Sequence, residues 1–212
     1  MFRNDISEFP QKALNKATYG LYLLSCMEDG KDNACIIDAF MQVTNVTPAV
    51  CVITVIKQNL SHEMILNTNK FNLSVLTEGA AYDVYKRFGH QSGKDADKFD
   101  GFTGTLRRSE NGLVYFADNT NAFMSFEVID TVDFGTHTMF KAKLTDSGEL
   151  SDDVSATYSY YRQHIKPKPE KNVKKHGYRC GVCDYYYEGD ELPPDFICPI
   201  CGLGADVFYE EQ

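Results

Sequence analysis

Two Cys-x-x-Cys hooks near the C-terminus, Cys180-Gly-Val-Cys183 and Cys198-Pro-Ile-Cys201, constrain this chain more than any other stretch. Fourteen residues, Asp184 to Ile197, separate them. A two-residue spacer turns both sulfurs of a hook toward one point, so two hooks form a tetrahedral cage for one metal ion. Thiolate softness admits zinc or iron alike, and in a small module taken alone the pattern is more often a zinc ribbon. The module from Tyr178 to Gln212 has only 35 residues, too few for an apolar core to balance chain entropy. The metal must therefore contribute folding energy.

Charge divides the chain. The formal net charge is −9, and the hook module holds eight acidic residues against Arg179 alone, whereas residues 164–177 hold five lysines against Glu170. The run KPKPEKNVKKHG from Lys166 to Gly177 reads as a stiff, self-repelling, solvated connection with nothing to bury. The expected organisation is a large domain over 1–165, a linker over 166–177 and a small domain over 178–212. An acidic metal module suits nucleic acid poorly, because phosphate binding needs clustered Lys and Arg. A partner protein is the expected target. No apolar run approaches the roughly 18 residues that cross a bilayer, and the start MFRNDISEFPQKALNKATYG lacks an export pattern. A soluble cytoplasmic protein is expected, with Cys26, Cys35 and Cys51 as buried thiols rather than disulfides.

In the large domain, apolar runs at 20–28 and 33–38 flank Asp29-Gly30, a hairpin signal. Strands are expected at 40–46 and, beyond Pro48, at 50–57, rich in β-branched residues. Ser61 can cap a short helix before a strand at 71–76. Ala81, Val84, Tyr85 and Phe88 recur at helical steps and stop at Gly89. The polar stretch HQSGKDADK reads as a loop, and strands follow at 113–117, 122–134 and 137–144. The fold class is thus mainly β with short helices, a barrel or sandwich. His90, His164 and His176 fall in loop or linker and read as solvated groups.

The residues around the hooks choose between the metals. Tyr178-Arg-Cys-x-x-Cys-Asp-Tyr185-Tyr-Tyr187, Pro193-Pro-Asp-Phe196-x-Cys-Pro-x-Cys-Gly and Ala205-Asp-Val-Phe208 together resemble rubredoxin, the one-iron Fe(Cys)4 electron carrier. The resemblance implies iron held by Cys180, Cys183, Cys198 and Cys201. The segment between the hooks is shorter than in free-standing rubredoxins, and Asp184 stands where the family usually has glycine. Asp tolerates positive φ better than most residues, so the loop can still form.

The large domain has neither G-x-G-x-x-G nor G-x-x-x-x-G-K-[ST]. Its motifs, taken in order, resemble the flavin reductase-like family of FMN-binding split β-barrels over about residues 10–165. They are Gly20-LYLLS, Asn33-Ala, Gln42-Val-Thr44, Lys57-QNLSHE, FNLSVL from Phe71, FGHQSGKDADKF from Phe88, Gly135-Thr-His137-Thr and Thr157-YSYY. The resemblance implies phosphate-side contacts from Asn59, Ser61 and His62 near a helix start, with charge from Lys57. It places Asn33 and Thr44, on adjoining strands, against the flavin ring. Ser92 and Lys94 fall in a loop near the phosphate or a partner subunit, and His137 falls near the ring as the catalytic candidate. Each has a plainer alternative as sheet surface, helix cap or solvated histidine.

A flavin can take an electron pair from a nicotinamide and release single electrons to a one-electron acceptor. Such fusions resemble the high-molecular-weight rubredoxins. The resemblance implies an electron-transfer oxidoreductase running from NAD(P)H through FMN and one iron to an acceptor redox protein, such as a flavodiiron O2 or NO reductase. It also implies a homodimer. Two other readings stay open, a zinc-bearing binding module and a carrier reduced by a separate reductase.

Overall fold

The computed structural model describes residues 16–167, 177–181, 185–199 and 202–211. It forms two compact units, Tyr19–Pro167 and a second drawn from Met1–Thr18 with Lys168–Gln212. Of the expected linker, residues 168–176 lie outside the described residues, as do His176, Cys183, Asp184 and Cys201.

In the larger unit, β1 (Tyr22–Glu28) and β2 (Lys31–Ile37) form the expected hairpin, with Glu28 opposite Lys31. Asp29 and Gly30 turn it at φ of 50 and 78°, the left-handed two-residue turn that matches strand twist. The chain continues through β3 (Phe40–Gln42), β4 (Val50–Ile56), α1 (Leu60–Thr68), β5 (Lys70–Leu76) and α2 (Tyr82–Gly89). A short ribbon of β6 (Leu106–Arg108) and β7 (Val114–Phe116) precedes the long hairpin β8 (Thr120–Asp133) and β9 (His137–Glu149). The turn α3 (Tyr158–Tyr160) runs on as a π-helical turn, Tyr161–Ile165.

Seven strands pair antiparallel in the order β2-β1-β5-β8-β9-β4-β3. The two outermost strands are consecutive in the chain, with only Asp38 and Ala39 between them. At that corner Thr54 N donates to Ala39 O at 3.1 Å, so one bent stretch joins both edges and curls the sheet into a barrel. Side chains from both ends of the sheet consequently share one core: Cys35 and Ile37 of β2 pack in the same cluster as Cys51, Ile53 and Val55 of β4, with Phe40 of β3 against it. Cys26, Cys35 and Cys51 are all buried there as free thiols, as their apolar surroundings imply. Phe71 and Phe126 stack at 5.0 Å in its centre. A second core lies under α2, where Phe88 meets Phe99, Phe102 and Phe116 at 5.0 to 5.7 Å and Tyr85 meets Tyr161 at 4.5 Å.

Three local expectations change. The strand expected over 40–46 pairs only to Gln42, because the Thr44 hydroxyl takes the Val50 N–H at 2.9 Å and the chain turns back. The helix cap is Asn59, not Ser61. The turn Ile56–Asn59, closed by Asn59 N to Ile56 O at 3.1 Å, starts the helix early and carries Ser61 inside the first turn, fully buried. Asn33 and Thr44 do not sit on adjoining strands, since β2 and β3 lie at opposite ends of the sheet order. The strand expected at 113–117 is β7, whereas its partner β6 and the final helical turns are too short to show a period in sequence.

The smaller unit is a three-stranded antiparallel sheet, β11 (Tyr186–Glu188), β10 (Gly177–Cys180) and β12 (Phe208–Glu211), with β10 central. Its core is aromatic: Phe196 lies 4.8 Å from Tyr187, 5.4 Å from Phe208 and 6.3 Å from Tyr185. No helix among the described residues is long and apolar enough to cross a membrane.

Candidate functional site

The first turn of α1 gathers most of the polar residues singled out in the barrel. Ser61 is fully buried, and its Oγ accepts from Asn33 Nδ2 on β2 at 2.9 Å. Gly93 lies against the same Asn33 amide; a Cβ there would run into Asn33 Oδ1 and stand 3.0 Å from its Cγ. Ser92 Oγ accepts from Lys94 N at 3.1 Å, and Lys94 Nζ reaches Glu63 of α1 at 3.8 Å. Asn33, Ser61 and the 92–94 loop thus meet at one helix start, with Asn59 as its N-cap. The first N–H groups of a helix have no intrahelical acceptor and carry the positive end of its dipole. Amide, hydroxyl and ammonium donors at such a place suit a phosphate dianion, so this donor set fits the phosphate end of FMN.

The structure gives His62 and Lys57 other partners. His62 is buried, with Nε2 2.8 Å from Thr138 Oγ1 and its ring edge-on to Phe140 at 5.6 Å. Burial pushes its pKa below the ordinary histidine value, and the nearby Lys57 charge pushes the same way. Lys57 Nζ is held by both carboxylate oxygens of Asp133 at 2.8 and 2.7 Å, at the tip of the β8–β9 hairpin. That lysine, together with the Gly135 amide, holds the Asp133 carboxyl below its usual range. The cation expected beside the phosphate is therefore already paired with a carboxylate.

His137 opens β9 opposite Ile56, half-buried, with Nδ1 2.9 Å from Thr136 Oγ1. Asp38, at the corner that closes the barrel, senses the His137 charge; burial raises its pKa, while its own amide and His137 draw it back. Thr44 lies beside Val50, at the far end of β4 from Lys57, about 20 Å away along the strand. A groove of 230 Å³ lined by Lys70, Glu110, Asn111, Phe126, Glu127, Thr145 and Asp146 contains none of the predicted residues. Sequence reading passed over Gly93, Asp133, Thr138 and Asp38. Gly93 and Thr138 carried a signal, the first lying between Ser92 and Lys94 and the second directly after His137. His90 and His164 are exposed, as expected, the latter stacked on Tyr160 at 4.6 Å.

In the smaller unit, Cys180 ends β10 and Cys198 follows Phe196-Ile197, both fully buried. Cys180 N donates to Tyr185 O and Cys198 N to Leu203 O, each at 2.8 Å. Gly202 N donates to Cys198 O at 2.8 Å, and its φ of 69° explains why glycine follows the second hook. The other two thiols of the set, Cys183 and Cys201, lie outside the described residues. Two buried cysteines have the chemistry of half a four-thiolate metal cage.

Comparison with known proteins gives this arrangement its class. Residues 14–168 match the flavin reductase like domain family and residues 178–209 match the rubrerythrin, rubredoxin-like domain. The chain belongs to the flavin reductase-like family and carries a rubredoxin-like domain after the barrel, the make-up of a flavin-dependent electron-transfer protein. It is 34% identical to the high molecular weight rubredoxin of Moorella thermoacetica, over 94% of this chain and 98% of that protein. It is 27% identical to the ferric-chelate reductase (NAD(P)H) of Archaeoglobus fulgidus, over 76% of this chain and 94% of the relative. The fold resembles the NADH:FAD oxidoreductase of Streptomyces globisporus, with a TM-score of 0.63 at 16% identity, covering 76% of this chain and 93% of that one.

Proposed function

We propose that this protein moves electrons from NAD(P)H, through FMN in the barrel and one iron in the Cys180, Cys183, Cys198, Cys201 cage, to an acceptor redox protein. The observation that carries this reading is the presence of both modules in one chain. The bound flavin would supply the conversion from a two-electron hydride donor to a one-electron acceptor. A four-thiolate iron would carry single electrons outward. Tethering keeps the iron module near the flavin at an effective concentration on the order of millimolar for a short linker.

The chain's own residues have separate tasks. Ser61, Asn59 and Lys94 hold the phosphate end at the start of α1, and Asn33 fixes the Ser61 hydroxyl. His137, hydrogen-bonded to Thr136, has the task of donating to the flavin ring or admitting the nicotinamide. The acidic smaller unit meets a basic patch on its acceptor, for example a flavodiiron O2 or NO reductase, in a transient contact that salt weakens. We further propose a homodimer. It is supported by apolar side chains left exposed on and beyond the edge strand β3, with Met41 at 59%, Val43 at 53% and Val46 at 62%, and at the hairpin tip, with Phe134 at 61%.

Cofactor analysis of the purified protein tests the reading: FMN and iron are expected in equal amounts per chain. Zinc in the hooks with no flavin would overturn it in favour of a binding module with a structural metal. A second reading, a carrier loaded by a separate reductase, is favoured by the lack of a G-x-G-x-x-G motif for the nicotinamide. It predicts the same cofactors with slow reduction by NADH and NADPH.

A further inference from the structure

Lysine is among the residues least often found fully buried. Lys98 is only 5% exposed. Its Nζ donates to Ala34 O at 3.0 Å on β2 and to Phe88 O at 3.1 Å in the last turn of α2. Among the described residues no carboxylate lies within ion-pair distance of it. Burying a charge without a counter-charge costs several kcal/mol, and burial accordingly pushes the Lys98 pKa below the ordinary lysine value; an apolar residue of similar length would fill the space without that cost. Two carbonyls, one at the negative end of a helix, offset part of it. The nearby thiols of Cys26 and Cys35 do not: burial pushes Cys26 up to about 12 and Cys35 in the same direction, so both stay protonated.

The position of this ammonium is what gives it a role. Ala34 directly follows Asn33, the residue that holds Ser61 and packs against Gly93. Lys98 also ends the loop that carries Ser92 and Lys94, and Arg87 ties the far side of that loop by donating to Lys98 O at 3.2 Å and Asp100 O at 2.8 Å. We propose that Lys98 is a positioning residue for the phosphate end of the flavin site: it pins the 92–98 loop onto β2 and places an uncompensated positive charge behind Asn33 and Ser61. An anion at the start of α1 is the counter-charge this interior lacks, and the low dielectric of the core transmits the field well. The inference rests on the FMN reading of the barrel.

Riboflavin has the same ring as FMN and no phosphate, so the two ligands separate a phosphate effect from a packing effect. The test titrates both flavins into flavin-stripped full-length protein, as wild type, Lys98→Met and Lys98→Arg, following flavin fluorescence. Wild type should prefer FMN; Lys98→Met should lose about tenfold or more in FMN affinity with riboflavin unchanged, and Lys98→Arg should recover part of the preference. A second measurement needs no variant: FMN should slow labelling of Lys98 by an amine-directed reagent, read by mass spectrometry, several-fold more than riboflavin does. If the wild type binds neither flavin, the FMN reading itself fails. If the wild type prefers FMN and Lys98→Met keeps that preference, or both flavins protect Lys98 equally, Lys98 is only a packing staple.

Discussion

Asn33 Nδ2 and Ser61 Oγ lie 2.9 Å apart, a buried hydrogen bond that ties the edge strand β2 to the first turn of α1. Ser61→Ala leaves a buried amide without its acceptor, which costs about 1 to 3 kcal/mol. The expected outcome is a lower urea midpoint together with weaker FMN binding, measured by chemical denaturation and fluorescence titration. Unchanged stability would show that Asn33 finds another acceptor.

Gly93→Ala tests the other side of the same amide. A Cβ there collides with the end of Asn33, which cannot swing away without breaking its bond to Ser61. FMN affinity should fall with a stability loss of about 1 kcal/mol, within the usual range for point substitutions. A variant binding FMN as tightly as wild type would separate the 92–94 loop from the flavin site.

His62 gives a pH signature. Its folded pKa lies below its unfolded value near 6.5, so the unfolded chain binds the proton more readily. Stability from this residue is complete above about pH 6.5 and is lost as pH falls through the folded pKa, with a slope of at most about 1.4 kcal/mol per pH unit. His62→Gln should flatten the difference between unfolding midpoints at neutral and mildly acid pH. An identical pH dependence in variant and wild type would show that His90, whose pKa is also lowered, or the carboxylates carry the effect.

The barrel's strands were legible because each carries its own period or β-branched run, and Asp29-Gly30 set the first hairpin in register before any tertiary contact was known. The closure was not legible. It depends on Asp38 and Ala39 bending one strand from one sheet edge to the other, and a two-residue corner leaves no periodic trace. The same limit applies to the site. The order of the motifs pointed to Asn33, Ser61 and the 92–94 loop, yet the Asn33–Ser61 bond and the Lys57–Asp133 pair span 28 and 76 positions of sequence. Lys98 looked like one more polar loop residue, since nothing in HQSGKDADK distinguishes a lysine that turns inward.

Cys198→Ser removes a hook thiol that, like Cys180, is fully buried. The visible iron band should vanish and the smaller unit unfold, because 35 residues lack a core sufficient without metal. FMN should stay bound at wild-type stoichiometry, since the described residues of the barrel core all lie between Leu21 and Ile165. A variant keeping its iron band would remove Cys198 from the ligand set.

The most direct measurement is anaerobic stopped-flow reduction by NADH and NADPH, recorded across the visible spectrum. The flavin absorbance should fall first and the iron absorbance should follow in the same protein, with flavin-stripped protein leaving the iron oxidised. Iron reduction by NAD(P)H at an unchanged rate without flavin would contradict the proposed electron path.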